Sequence, residues 1–167
     1  MAASIARRLP AWATLALFVA VTLGVGYLGA QVTTPAIGGW YAGLAKPDFT
    51  PPNGVFAPVW TALYVMMAVA AWMVWRADAA PSAIEAAMRA FWIQLALNLA
   101  WSWIFFGARD VGWAFFEILL LIAALLVTIL RFWKLSPRAG LLLLPYLAWS
   151  LFATALTLRI WQLNPRS

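Results

Sequence analysis

A chain of 167 residues that is 66% hydrophobic and only 10% charged is too apolar for a water-soluble domain of its size. Its formal charge of +6 comes from basic residues at the ends of apolar runs, which points to membrane topology and away from nucleic-acid recognition. The absence of cysteine and histidine excludes disulfides, thiolate and imidazole chemistry, zinc sites and histidine-ligated haem, so chemistry falls to aromatic rings, carboxylates or a bound molecule.

Five apolar runs, each near the roughly 20 residues that span a hydrocarbon core, predict an all-α integral membrane protein. The expected architecture is a single five-helix transmembrane domain over residues 1–167, with helices at about 11–30, 54–75, 85–107, 111–132 and 138–161 and a lid loop at 31–53. The first run follows Arg7 and Arg8, is long for a signal peptide and lacks a clear cleavage site, so it reads as a retained helix. Gly24, Gly26, Gly29 and Ala30 would let a neighbouring backbone or a ligand approach it closely. Thr33, Thr34 and Pro35 are expected to end it, and 37–45 to form a short amphipathic helix placing Trp40, Tyr41 and Leu44 toward the membrane surface. Pro47, Pro51 and Pro52 fix φ and remove donors, which makes Trp40 to Asn53 a stiff lid. Pro58 suits the start of the second helix, where Trp60 and Tyr64 stand one turn apart on one face.

Before the third helix, Pro81-Ser82 with Glu85 reads as a capping box. Gln94, Asn98, Trp101 and Phe105 then form one stripe, whose amides would either bond neighbouring helices or line a cavity. Ala86 with Ala90 and Ala96 with Ala100 are small-xxx-small pairs that predict a homodimer. Residues 107–110 leave only a tight turn, so helices 3 and 4 are antiparallel neighbours. Trp113 and Glu117 share a face at i, i+4, and the helix dipole and interfacial water favour a structural role for this acid. In the fifth helix Pro145 predicts a kink, with Tyr146, Trp149 and Ala153 along one face. Trp72, Trp75, Trp133 and Trp161 fall near helix ends, as in an interfacial aromatic belt. Arg7, Arg8, Arg76, Arg89, Arg131, Lys134 and Arg138 gather on one side against Lys46, Arg109, Arg159 and Arg166 on the other. In a bacterial inner membrane this puts the N-terminus in the cytoplasm and the lid opposite.

Four segments together resemble the tryptophan-rich sensory protein and translocator protein family, also called peripheral benzodiazepine receptors. They are Trp40-Tyr41-x-x-Leu44-x-Lys46-Pro47-x-Phe49-x-Pro51-Pro52, Phe56-x-Pro58-Val59-Trp60-x-x-Leu63-Tyr64, Gln94-Leu95-x-Leu97-Asn98-x-x-Trp101 with the run from Phe105 to Ala114, and Pro145-Tyr146-Leu147-Ala148-Trp149-x-x-Phe152-Ala153. The resemblance implies a five-helix, commonly dimeric membrane protein of bacteria or of the mitochondrial outer membrane. Its lid closes a pocket for porphyrins such as protoporphyrin IX and for drug-like hydrophobic molecules; mammalian relatives also bind cholesterol. Carried over residue by residue, the ligand-binding set is Trp40, Tyr41, Trp60, Tyr64, Asn98, Trp101, Phe105, Trp113, Trp149, Ala153 and Leu156. Trp60 and Trp149 match a pair associated with light-dependent porphyrin breakdown. Thr157 departs from the family's usual asparagine, and the fifth helix lacks a forward sterol motif, although Arg89, Phe91 and Leu95 fit a reversed one.

Three functional classes follow, one of them a regulatory partner whose ligand-bound state is read by another protein. The first is a binding protein acting in tetrapyrrole transport, sensing or stress regulation, with a tetrapyrrole or other hydrophobic small molecule, the bilayer and a second copy as partners, and with neither a nucleic acid, a metal nor an obligatory cofactor. The alternative is a light- and oxygen-dependent porphyrin-degrading enzyme in which Trp60 and Trp149 are the photochemical pair. Conventional acid-base or nucleophilic catalysis finds no constellation here.

Overall fold

The computed structural model describes residues 10–165, so Arg7, Arg8 and Arg166 of the charge argument lie outside the described residues. Its regular structure is all helical, with no strand among the described residues. The elements are α1 (Ala11–Ile37), the short α2 (Trp40–Gly43), a 3-10 turn (Asn53–Val55) leading into α3 (Phe56–Trp75), α4 (Pro81–Ser102), a π turn (Trp103–Gly107), α5 (Val111–Leu135), α6 (Pro137–Leu142) and α7 (Leu144–Leu163). Five helical stretches of 23 to 27 residues are long and apolar enough to cross a membrane: α1, α3 with its 3-10 turn, α4 with its π turn, α5, and α6 with α7. At about 1.5 Å per residue each exceeds the ~30 Å hydrocarbon core.

The core lies where α3, α4, α5 and α6 meet. Ala68, Ala70 and Ala71 of α3 bring backbones close, and Met67, Phe91, Leu125, Phe132 and Tyr146 fill the space between them. Phe91 stacks on Phe132 at 5.9 Å. A second cluster, Tyr41, Phe105, Val111, Leu156 and Ile160, forms beneath the lid. Outward faces carry Leu120, Leu130 and Ile93, as expected where the solvent is hydrocarbon.

Several local expectations are corrected. α1 does not stop at Ala30 but runs through Thr33, Thr34 and Pro35 to Ile37. Proline keeps a helical φ, and at Pro35 its missing donor and its ring's clash with the carbonyl four residues back fall in the last turn, where the helix ends within two residues; the Thr33 hydroxyl reinforces that end by donating to the Gly29 carbonyl at 3.0 Å. The Ser82–Glu85 capping box does not form. Pro81 occupies the first helical position after Ala80, so α4 begins earlier than expected and Ser82 is already inside it. The expected helix at 37–45 shrinks to α2, and Tyr41 turns inward, 3% exposed, rather than toward the membrane surface.

Two breaks position the site. The fifth span divides at Leu143, two residues before Pro145, whose ring and missing donor interrupt the ladder. At the end of α4 the Ala108 amide donates to the Trp103 carbonyl at 2.7 Å, an i to i+5 bond that widens the last turn. The chain then reverses through Arg109 at φ 60, and Asp110 caps α5 by accepting from the Trp113 amide at 2.9 Å.

Candidate functional site: an aromatic cavity beneath the lid

A cavity of about 350 Å³ lies between α1, α3, the end of α4, and α7, covered by Tyr41. That volume falls at the low end of the ~300–1,000 Å³ of drug-sized ligand sites. Trp60 and Tyr64 of α3 lie 5.6 Å apart, centroid to centroid, with planes tilted by 32°. Trp101 and Phe105 stack at 5.0 Å, and Phe56 meets Trp149 edge to face at 5.9 Å. Trp149 contacts Phe152 at 5.5 Å, and the lid residue Phe49 meets the same Phe152 at 6.2 Å. The lining members most open to the surroundings are Leu23, Tyr27 and Thr34 of α1 and Asn53, Ala57 and Thr61 at the start of the second span, so the opening runs between these two elements.

Of the eleven residues carried over by resemblance, the structure gathers Tyr41, Trp60, Tyr64, Trp101, Phe105, Trp149, Ala153 and Leu156 around this one space. Trp60 and Trp149, the matched pair, both line it. Trp40 stands behind Phe105 at 5.7 Å and is not part of the wall. Trp113 is not brought in: it is 70% exposed on the outer face of α5, edge to face with Phe116. It sits in the first turn of α5, where an indole reaches the membrane interface, while Glu117 one turn on points inward with both carboxylate oxygens buried and without a hydrogen-bond partner among the described residues. Phe91 and Leu95 of the reversed sterol pattern are 0% and 3% exposed; they belong to the protein core and present nothing to the bilayer.

Asn98 lies behind the wall. The Tyr64 hydroxyl donates to its Oδ1 at 2.6 Å, and its Nδ2 donates to the Tyr146 hydroxyl oxygen at 3.0 Å, so one buried amide ties α3, α4 and α7 together and orients the Tyr64 ring. Gln94, fully buried, reaches only the Met67 sulfur among the described residues, at 3.9 Å.

The face of α1 was visible in the sequence only as small residues. Gly26 is required by the site itself, since a Cβ there would lie 2.6 Å from Cε2 of Tyr64. Phe106 was missed because adjacent positions of a regular helix point about 100° apart; the π turn lets both Phe105 and Phe106 face the cavity. Phe56 and Phe152 were legible in hindsight, one turn from Trp60 and Trp149 on the faces already singled out.

The lid is tied down by polar contacts. Lys46 Nζ donates to the carbonyls of Tyr41 (2.7 Å), Leu44 (2.9 Å) and Ala42 (3.2 Å) and lies 4.8 Å from the Tyr41 ring centroid. Burial pushes the Tyr41 hydroxyl above its ordinary range, keeping it neutral beneath the lysine. Asn164, just after α7, accepts from the Ala45 amide at 3.1 Å and donates to the Ala45 carbonyl at 2.9 Å.

These features define a polytopic membrane protein with an aromatic cavity closed by a pinned loop. The profile of the TspO/MBR family matches residues 18–162, and the chain belongs to that family and is an integral membrane protein. It is 38% identical over 156 residues to the translocator protein of Ovis aries, covering 93% of this chain and 92% of the relative. To the tryptophan-rich protein TspO of Chlorobaculum tepidum it is 40% identical over 152 residues (91% and 96%), and to protein CrtK of Rhodobacter capsulatus 33% over 153 residues (91% and 95%).

Proposed function

We propose that the protein binds porphyrins, protoporphyrin IX among them, and other hydrophobic ligands in this cavity, and acts in tetrapyrrole transport, sensing or stress regulation. The observation that carries the reading is the enclosure of Trp60, Tyr64, Trp101, Phe105 and Trp149 around one space beneath Tyr41. Rigid rings offer flat surfaces to a flat macrocycle at little conformational cost, each aromatic contact adding about 0.5–1.5 kcal/mol beyond area burial. Titrating the purified protein with protoporphyrin IX while following tryptophan fluorescence tests it. Saturable quenching that weakens in a Trp60→Ala, Trp149→Ala double variant is the expected result, and unsaturable or unchanged quenching would refute it.

The same reading includes a homodimer through α4. Ala96 is exposed and Ala100 half-buried, beside the exposed Ile93 and Trp103, whereas Ala90 faces the core. Leucine at both 96 and 100 should therefore abolish cross-linked dimers in detergent.

A further inference from the structure

Glu117 is the acid that the fold carries into the bundle. Asp48, Asp78 and Glu85 are exposed, and Asp110 caps α5. Both Glu117 oxygens are buried and meet no donor among the described residues, so the interfacial water expected to support this acid does not reach them. No cation compensates it either. At this end of the bundle Arg109 and Arg159 are exposed, with Arg159 donating to Gln162 Oε1 at 2.7 Å, and Lys46 is held by three lid carbonyls. The remaining basic residues described lie toward the opposite end. A buried carboxylate with neither a counter-charge nor a donor is far costlier than a neutral acid in the same place.

Two hydroxyls of α7 stand beside this acid unspent. Tyr146, fully buried, accepts from Asn98 Nδ2, and its own proton has no acceptor among the described residues. Ser150, one turn on and 2% exposed, has a buried Oγ without a partner. The Ser150 hydroxyl and the Glu117 carboxyl both lie near enough to the Tyr146 hydroxyl to act on it electrostatically. From α4 comes the Trp101 indole N–H, also buried and without a partner, about two turns before the chain reversal that Glu117 follows by about two turns. Three spans therefore gather unspent donors around one acid. Tyr146 and Asn98 join the group to Tyr64, which lines the cavity.

We propose that Glu117 is a proton-binding site inside the membrane, carrying an exchangeable proton as the neutral acid and sharing it through water with the hydroxyls of Ser150 and Tyr146 behind the cavity wall. Buried water typically makes about three hydrogen bonds to such groups, which suits polar atoms that stand close without touching. An acid so placed takes up and releases a proton away from bulk solvent.

Infrared spectra of the protein in an ester-free detergent test this, because the carbonyl stretch of an undissociated acid is resolved from the amide and carboxylate bands. At neutral pH the parent shows one such band. It moves when glutamate is supplied carbon-13-labelled, persists in Glu85→Gln, shifts on transfer to deuterium oxide and vanishes in Glu117→Gln. Labelled glutamate and Glu85→Gln assign the band with Glu117 intact, so the assignment does not depend on the folding of Glu117→Gln. In Ser150→Ala and Tyr146→Phe the band moves to higher frequency, since a carbonyl that loses a hydrogen bond stiffens. Absence of the band from the parent, its survival in Glu117→Gln or its failure to shift in deuterium oxide would overturn the proposal. So would a band unmoved in both hydroxyl variants, which would leave Glu117 an isolated acid. Each measurement is made without a ligand, so this site stands or falls apart from the binding reading.

Discussion

The cavity is bounded by two sets of hydrogen bonds that look alike on paper and differ in surroundings. On the inner side, Tyr64, Asn98 and Tyr146 are 7%, 2% and 0% exposed, and their bonds join three membrane-spanning segments. On the lid side, Asn164 grips Ala45 by two bonds of similar length, but both lie at exposed positions. A buried bond that loses a partner leaves an orphaned polar group with no water to replace it, whereas an exposed one is exchanged for solvent at little cost. The inner network therefore fixes the shape of the cavity, and the lid contacts set how readily it opens. Affinity should respond to the first and rates to the second.

The largest effect is expected at Asn98. Asn98→Leu removes the acceptor of Tyr64 and the donor to Tyr146 at once, orphaning two buried hydroxyls. A loss of about 1–3 kcal/mol for each follows, read as a lower unfolding midpoint in detergent and at least a fivefold weaker affinity for the quenching ligand. Unchanged affinity would mean that the Tyr64 ring is held by packing alone.

Gly26→Ala attacks the same ring from the opposite side. The added methyl would start 2.6 Å from Tyr64, whose hydroxyl is pinned, so the ring cannot simply swing away. Overpacking of this kind costs about 1–3 kcal/mol. Gly24→Ala is the internal control, because nothing lies within 4 Å of the position. Equal behaviour of the two variants would show that Tyr64 relocates freely.

This division was only partly legible in the sequence. Run length and end charges gave five spans because the bilayer imposes them on any chain, and the lid followed from proline chemistry alone. Facing was harder. In a membrane helix every side is apolar, so periodicity does not separate the lipid face from the protein face; hence Trp113 was grouped with Glu117 although the ring lies outside and the acid inside. The polar stripe of α4 identified Asn98 but left two roles open, since an amide behind a cavity wall and one in it have the same spacing. Phe106 depended on a π turn that no residue type announces. The pairing of Asn164 with Ala45 spans 119 positions, beyond the reach of local patterns.

On the lid side, replacing Pro47, Pro51 and Pro52 with alanine leaves every contact of Lys46 and Asn164 in place and loosens only the open loop. Each proline contributes about 0.4–1 kcal/mol by limiting alternative conformations, so closure weakens by about tenfold or more in the free and the bound protein alike, and association and dissociation both accelerate. A change confined to the association rate would make the loop an admission gate and not a clamp.

The smallest effect, and the sharpest discrimination, comes from Asn164→Ala. The side chain also donates to the Ile160 carbonyl at the end of α7, at 2.8 Å, so the substitution removes a C-terminal cap together with the grip on Ala45. Both Ala45 groups can turn to water, and at about 0.5–1.5 kcal/mol per bond before that compensation, the net cost of releasing the lid should be under ~1 kcal/mol. Since the lining does not include Asn164, the bound state keeps all its aromatic contacts. Association and dissociation should both accelerate, by about threefold, with the dissociation constant nearly unchanged. Stopped-flow quenching resolves this directly. A weaker affinity with no change in association rate would show that the lid contributes binding energy of its own, and the separation between a shape-setting interior and a rate-setting lid would not hold.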